Sequence, residues 1–253
     1  MTPESLNVAV RPRHPYEAAD LGIRLVRAHA SLVYGQWLVL MLPVLLASLA
    51  LEHLTHWNIA LFLVWWLKPL YDYAMLWLLS RLVFGVVPTR RQLLQALPSF
   101  YGQGLVGALL WRRFSFSRAY LLPVRMLEGQ SGRELDRRIQ LLRRNATGKS
   151  RALHQLFSLY ESIALFALLS LLLWFSSSFF EFDNLLDMIT APPATLAHDV
   201  IVGIYALSVF LVEPLYVAAG FMLYLNRRTV LEAWDVEISL RRLAGRLDVR
   251  RAA

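Results

Sequence analysis

Four ionisable side chains, Lys68, Asp72, Glu161 and Glu213, stand inside stretches that are otherwise apolar. A charge at the centre of a membrane span costs about 2.5–3.5 kcal/mol on insertion scales, so each of these groups calls for a partner or a function. Asp72 lies one helical turn beyond Lys68 on the same face, although Pro69 between them kinks that turn. Glu213 is the other candidate partner for Lys68. Both residues precede Pro-Leu-Tyr, at Pro69–Tyr71 and Pro214–Tyr216, and the echo suggests a duplicated helix hairpin with opposite charges at matching positions. Counted inward along each helix, the two sit at depths about 8 Å apart at 1.5 Å per residue, a gap that helix tilt can narrow. Two chemistries fit: ion pairs that hold helices in register, or an ion or proton path between helices. Glu161 and Tyr160 can belong to either.

Catalytic patterns are weak by comparison. Gly148-Lys149-Ser150 imitates the end of a phosphate-binding loop, but Arg143 occupies the position of the required first glycine and no strand precedes it. Glu52, His53, His56, His198 and Asp199 have side chains that can ligate metal, yet their order is not His-Glu-x-x-His. Ser176, Ser177 and Ser178 with His198 and Asp199 supply the residue types of a hydrolytic triad without its motif context. With no cysteine in the chain, disulfides and thiolate chemistry are excluded. The expectation is a non-enzymatic protein without cofactor or metal.

The elements that must position these groups are membrane helices. Apolar residues make up 57% of the 253 and charged ones 17%, where soluble domains carry roughly 45–50% and 25%. Crossing some 30 Å of hydrocarbon takes about 20 mostly apolar residues, and segments 31–51, 57–80, 156–175 and 197–225 meet that test. Residues 1–30 are polar and proline-containing, unlike a cleavable signal, so the first apolar segment is expected to remain in the mature chain. Residues 99–111 are apolar but too short to span, and suit an interfacial or re-entrant piece.

Basic residues segregate sharply. Arg11, Arg13, Arg24 and Arg27 precede the first span, fourteen lysines and arginines lie from Arg81 to Arg151, and seven follow the fourth span. The loops 52–56 and 176–196 hold none and carry Glu52, Glu181, Asp183 and Asp187 instead. Basic residues are retained on the cytoplasmic side, which predicts four spans with both termini inside. The net charge of +8 is then largely topology, and nucleic-acid binding is not expected.

Two cytoplasmic stretches read as surface helices. Thr89 and Gln92 fit a capping box, with Leu93, Leu94 and Leu97 following on one side. Ser131 and Glu134 repeat the pattern ahead of Leu135, Ile139 and Leu142, with Arg133, Arg137, Arg138, Arg143 and Arg144 around them. A basic amphipathic helix of this kind lies on anionic lipid headgroups or binds a protein partner. The segment 236–247 has the same character.

Three stretches carry a family resemblance: Tyr16–Gly35 (YEAADLGIRLVRAHASLVYG), Leu121–Gly132 (LLPVRMLEGQSG) and Leu223–Ile238 (LYLNRRTVLEAWDVEI). Their order resembles the signatures of the membrane domain of glycerophosphodiester phosphodiesterases and related bacterial membrane proteins. In the last stretch Tyr224, Arg228, Glu232 and Asp235 match that pattern, while Asn226 replaces an acid and Ala233 a glycine. The stretches WWLKPLYD, WRRFSFSRAYLLP and VEPLYVAAGF look closer to small proteobacterial membrane proteins found with MoxR-type ATPases. The resemblance implies an envelope role and a protein partner. The catalytic barrel, about 250 residues on its own, has no counterpart here, so no phosphodiesterase activity is expected.

Physically, the last motif suits a helix leaving lipid: Tyr224 at the headgroup level, Arg227 and Arg228 reaching phosphates, and Glu232 and Asp235 on the stripe of Arg228. It predicts a salt-bridged elbow that turns the chain onto the inner surface. The whole reads as a single all-α, polytopic helical membrane domain. A lead-in helix (1–30) precedes a first hairpin (31–80), an interfacial segment (81–155), a second hairpin (156–225) and a basic tail (226–253).

Overall fold

A computed structural model describes residues 11–102, 104–110, 112–130, 132–144, 146–176 and 192–232. The helices are α1 (Pro15–Ala28), α2 (Ala30–Thr55), α3 (Ala60–Trp66), α4 (Lys68–Val83), α5 (Arg90–Ala96), α6 (Ser99–Gly102), α7 (Leu105–Leu109), α8 (Arg118–Leu127), α9 (Gly132–Arg143), α10 (Thr147–Ser176) and α11 (Leu196–Glu232). A 3-10 turn at Arg112–Phe114 joins α7 to α8. No strand occurs among the described residues, and the fold is an all-α bundle.

Among the described residues three helices are long and apolar enough to cross a membrane: α2, α10 and α11. Their apolar side chains face outward on α2 (Leu38, Leu42, Leu46) and α10 (Ile163, Phe166, Leu171), where lipid replaces a protein core. The predicted second span, 57–80, is not one continuous helix. It divides at Leu67 into α3 and α4, because Pro69 has no N–H to donate and its ring crowds the carbonyl four residues back, that of Trp65. Of the four apolar segments read from sequence, three are single continuous helices and the fourth is interrupted. The matching Pro214 leaves α11 uninterrupted, so the two Pro-Leu-Tyr copies adopt different local structures.

Helix α11 is the axis of the molecule. Over its most apolar stretch 56% of the residues are buried, against 17% in α2 and 11% in α10. Its 37 residues extend roughly 55 Å, well beyond a hydrocarbon core of about 30 Å. The excess length is covered by protein: Tyr216 through Tyr224 are all buried. Helix α1, read from sequence as a surface lead-in, packs along this stretch. Ala18, Ala19, Gly22 and Val26 form its buried stripe, and a Cβ on Gly22 would stand 2.5 Å from the Ala218 backbone. Asn226 pins the start of α1 by accepting from the Arg13 N–H and donating to the Arg13 carbonyl, both at 2.9 Å.

At the opposite end Glu52 joins three elements. One carboxylate oxygen accepts from the Ile59 and Ala60 N–H groups at 3.1 and 2.8 Å, satisfying donors that the first turn of α3 leaves open. The other lies 3.1 Å from His198 Nε2 on α11. Beside it, His53 meets Asp199 at 2.8 Å. The residues that sequence marks as possible metal ligands are engaged in these pairs, and His56 ends α2 in the left-handed region. The capping box of α5 forms: Thr89 Oγ1 accepts from Gln92 N–H at 3.4 Å, and Gln92 Oε1 from Thr89 N–H at 2.9 Å.

Candidate functional site

The break at Leu67 places Lys68 and Asp72 at the start of α4, where nearly every residue is buried. Lys68 Nζ donates to both carboxylate oxygens of Glu161 on α10, at 2.5 and 2.7 Å, and lies 3.0 Å from Glu213 on α11. Asp72 does not pair with Lys68. It meets the guanidinium of Arg118 at 2.7 Å, and the same guanidinium donates to Glu213 at 2.6 Å. Lys68, Asp72, Glu161 and Glu213 therefore converge in one ionic network, tied across α4, α8, α10 and α11.

Sequence reasoning missed Arg118, which the segregation of basic residues had placed with the cytoplasmic arginines. A charge count could have found it: three carboxylates lie in apolar segments with one lysine, and buried charges come paired. The approach that delivers Arg118 is set by Gly220, where a Cβ would stand 2.5 Å from the Ala119 Cβ. Contact at this distance brings the first turn of α8 onto α11, and the Ala119 N–H donates to Tyr216 Oη at 3.3 Å. His154 Nδ1 lies 2.9 Å from the same hydroxyl.

Breaking a helix inside an apolar layer frees carbonyls that need donors. Arg113 supplies them. Its guanidinium donates to the Trp66 carbonyl at 2.8 Å and to the Trp65 carbonyl, and stacks 3.6 Å from the Trp65 ring centroid. Network, break and Arg113 surround a partly open cavity of about 470 Å³ between α10 and α11, with Lys68, Arg113, Arg118, Glu161 and Glu213 on its polar wall. Phe114 and Phe116 stand exposed at its edge.

The residues of the predicted elbow meet in a different way. Helix α11 continues through Tyr224 to Glu232, and Asp235, with the turn expected beyond it, lies outside the described residues. Tyr224 donates to Glu128 at 2.6 Å, and Arg228 donates to Glu232 at 2.7 Å and to Tyr224 Oη at 3.3 Å. Arg138 of α9 donates to Glu128 at 2.7 and 3.0 Å and also to Glu232. Its hydrogen bonds to Glu128, and then to Glu232, raise the pKa of the guanidinium against the opposing effect of burial. The group is a clasp between α11 and the α8–α9 connection. Arg227 turns away and donates to the Arg144 carbonyl at 2.8 Å.

On α9, Arg138 thus faces inward, while Arg133, Arg137 and Arg143, and Arg144 just past the helix end, are exposed. Ile139 and Leu142 form the buried side of that helix. Ser131 and the segment 236–247 lie outside the described residues. No family model matches the chain, and no curated protein or solved structure matches it. The fold and its apolar surface define a helical membrane protein.

Proposed function

We propose that the chain is a non-enzymatic integral component of a bacterial inner-membrane complex, a scaffold with both termini in the cytoplasm. The observation that carries the reading is the network itself. Each of Lys68, Asp72, Glu161 and Glu213 has an opposite charge on another helix within 3.0 Å, which ties four helices in register. The exposed arginines of α9 and its C-terminal end, Arg133, Arg137, Arg143 and Arg144, supply a basic face for anionic headgroups or a protein partner. The sequence resemblance to envelope proteins associated with MoxR-type ATPases agrees with such a partner.

A small transporter or channel is the second reading, favoured by one observation: Glu161 reaches the cavity, and three carboxylates face only two paired cations. The two readings separate experimentally. In proteoliposomes a scaffold carries no proton- or ion-driven flux, and a partner captured from native membranes is lost when Arg133, Arg137, Arg143 and Arg144 become alanine. A flux abolished by Glu161→Gln would sink the scaffold and establish the transporter.

A further inference from the structure

We propose that the cavity between α10 and α11 binds the headgroup of a zwitterionic, amine-bearing phospholipid from the leaflet on the α8–α9 side. The inference rests on the chain being membrane-embedded, not on its having a protein partner.

Depth is the first argument. Hydrocarbon is crossed in about 20 residues. Counting that distance from the far ends of α10 and α11, Ser176 and Leu196, arrives within a residue of Phe157 and Tyr216. These two rings touch, with centroids 5.7 Å apart, and both line the cavity. The cavity therefore sits where hydrocarbon gives way to phosphate.

Charge is the second. Arg113 is buried, and no carboxylate approaches it within 4.0 Å among the described residues. Its Nε–H has no acceptor. Neighbouring Lys68 and Arg118 are shared among three carboxylates, Glu161 and Glu213 on the wall and Asp72 buried behind it, so the network on that side holds one acid more than it has cations. A phosphodiester at Arg113 and a primary ammonium at Glu161 match the two halves. Guanidinium is well suited to phosphate oxygens, and an ammonium to a carboxylate that already accepts one cation.

Shape is the third. A volume of about 470 Å³ is ample for a headgroup, and the exposed Phe114 and Phe116 continue the wall as apolar surface for the acyl chains. Ser158 and Ser162, exposed on α10 and lining the same cavity, add hydroxyls to the polar side without closing it.

The test is native mass spectrometry of the full chain after detergent extraction, followed by reloading from vesicles of phosphatidylethanolamine or phosphatidylglycerol. One phosphatidylethanolamine per chain is expected, retained at least tenfold better than phosphatidylglycerol. Ser162→Trp, which fills the cavity from the exposed face of α10 and leaves the ion pairs in place, should reduce retention at least tenfold with unfolding temperature unchanged. Arg113→Lys, which keeps a donor for the Trp65 and Trp66 carbonyls, should weaken retention in the same direction. Wild-type chain that retains no lipid overturns the proposal, and so does folded Ser162→Trp with full retention. Equal retention of phosphatidylglycerol overturns the zwitterionic assignment, and displacement by millimolar inorganic phosphate overturns the lipid as source. Loss of a captured protein partner with lipid retention intact would count against the scaffold and leave this site standing.

Discussion

Glu213 lies between two cations, 3.0 Å from Lys68 Nζ and 2.6 Å from Arg118 Nη2, and is the one carboxylate of the network that touches both. Asp72 serves Arg118 alone and Glu161 serves Lys68 alone. The three acids are therefore unequal, although they look interchangeable in the sequence. Removing one member of a buried pair leaves its partner's charge uncompensated at a cost of about 3–5 kcal/mol. Glu213→Gln weakens two cations together and is expected to fall in that range. Glu161→Gln leaves Lys68 with Glu213 and loses about 1.5–3 kcal/mol, the scale of a charge-assisted hydrogen bond. Thermal unfolding of both variants in one detergent checks the order, and the reverse ranking would contradict the bridging role of Glu213.

The same geometry decides the outcome of a charge exchange. With Lys68→Glu and Glu213→Lys combined, the new glutamate faces Glu161 and the new lysine faces Arg118. An isolated pair would be rescued by exchange. This one is not: the double variant is expected to be no more stable than either single one, and recovery to the wild-type unfolding temperature would show that Lys68 and Glu213 act as a closed pair.

Gly22 and Gly220 mark where α1 and α8 press against α11. At both, an added Cβ meets backbone at 2.5–2.7 Å, and backbone cannot rotate away. Overpacking of this kind costs about 1–3 kcal/mol. Gly22→Ala and Gly220→Ala should lower the unfolding midpoint accordingly. Gly203→Ala on α11 has nothing within 4 Å of the new carbon and serves as the neutral control, with helix propensity slightly in its favour.

These contacts also show what the sequence could convey. Apolar length identified α2, α10 and α11, because a continuous run of that size has one stable form in lipid. Pro69 signalled the disturbance in the second run, though not its size: whether a proline kinks or divides a helix depends on who receives the freed carbonyls. Here Arg113, distant in sequence, receives them, and at Pro214 the helix simply continues. Arg118 was hidden by the grouping of basic residues along the chain. Counting arginines by segment treats 81–151 as one basic stretch, but α8 folds back against α11 and carries one of them into the network. Likewise Tyr224, Arg228 and Glu232 were legible as a group, while Arg138 and Glu128 come from α9 and the end of α8, and only tertiary packing brings them into the clasp.

Arg138 and Arg137 are neighbours with opposite surroundings, which makes them a matched comparison. Arg138 donates to both Glu128 and Glu232, so Arg138→Ala leaves each carboxylate one donor short, Glu128 with Tyr224 and Glu232 with Arg228, and should destabilise the chain by about 1.5–3 kcal/mol. Arg137 is exposed, and its replacement by alanine should remain within about 0.5 kcal/mol. Similar losses at the two positions would contradict the clasp.

Glu52 holds the far end of the bundle by a different mechanism. Its carboxylate caps α3 through two backbone N–H groups and meets His198 of α11, so one side chain from α2 orients both neighbours. A helix N-cap contributes about 0.5–2 kcal/mol, and a buried donor left without its acceptor adds to the loss. Glu52→Ala should therefore destabilise by at least about 1 kcal/mol. Glu52→Gln is expected to lie between alanine and wild type, since its carbonyl oxygen can still accept from Ile59 or Ala60. Because α3 leads directly into the break at Leu67, loosening its first turn should also be felt at Lys68. Hydrogen exchange in α3 and around Trp65 should accelerate in Glu52→Ala, and unchanged exchange there would show that the cap and the ionic network are mechanically independent.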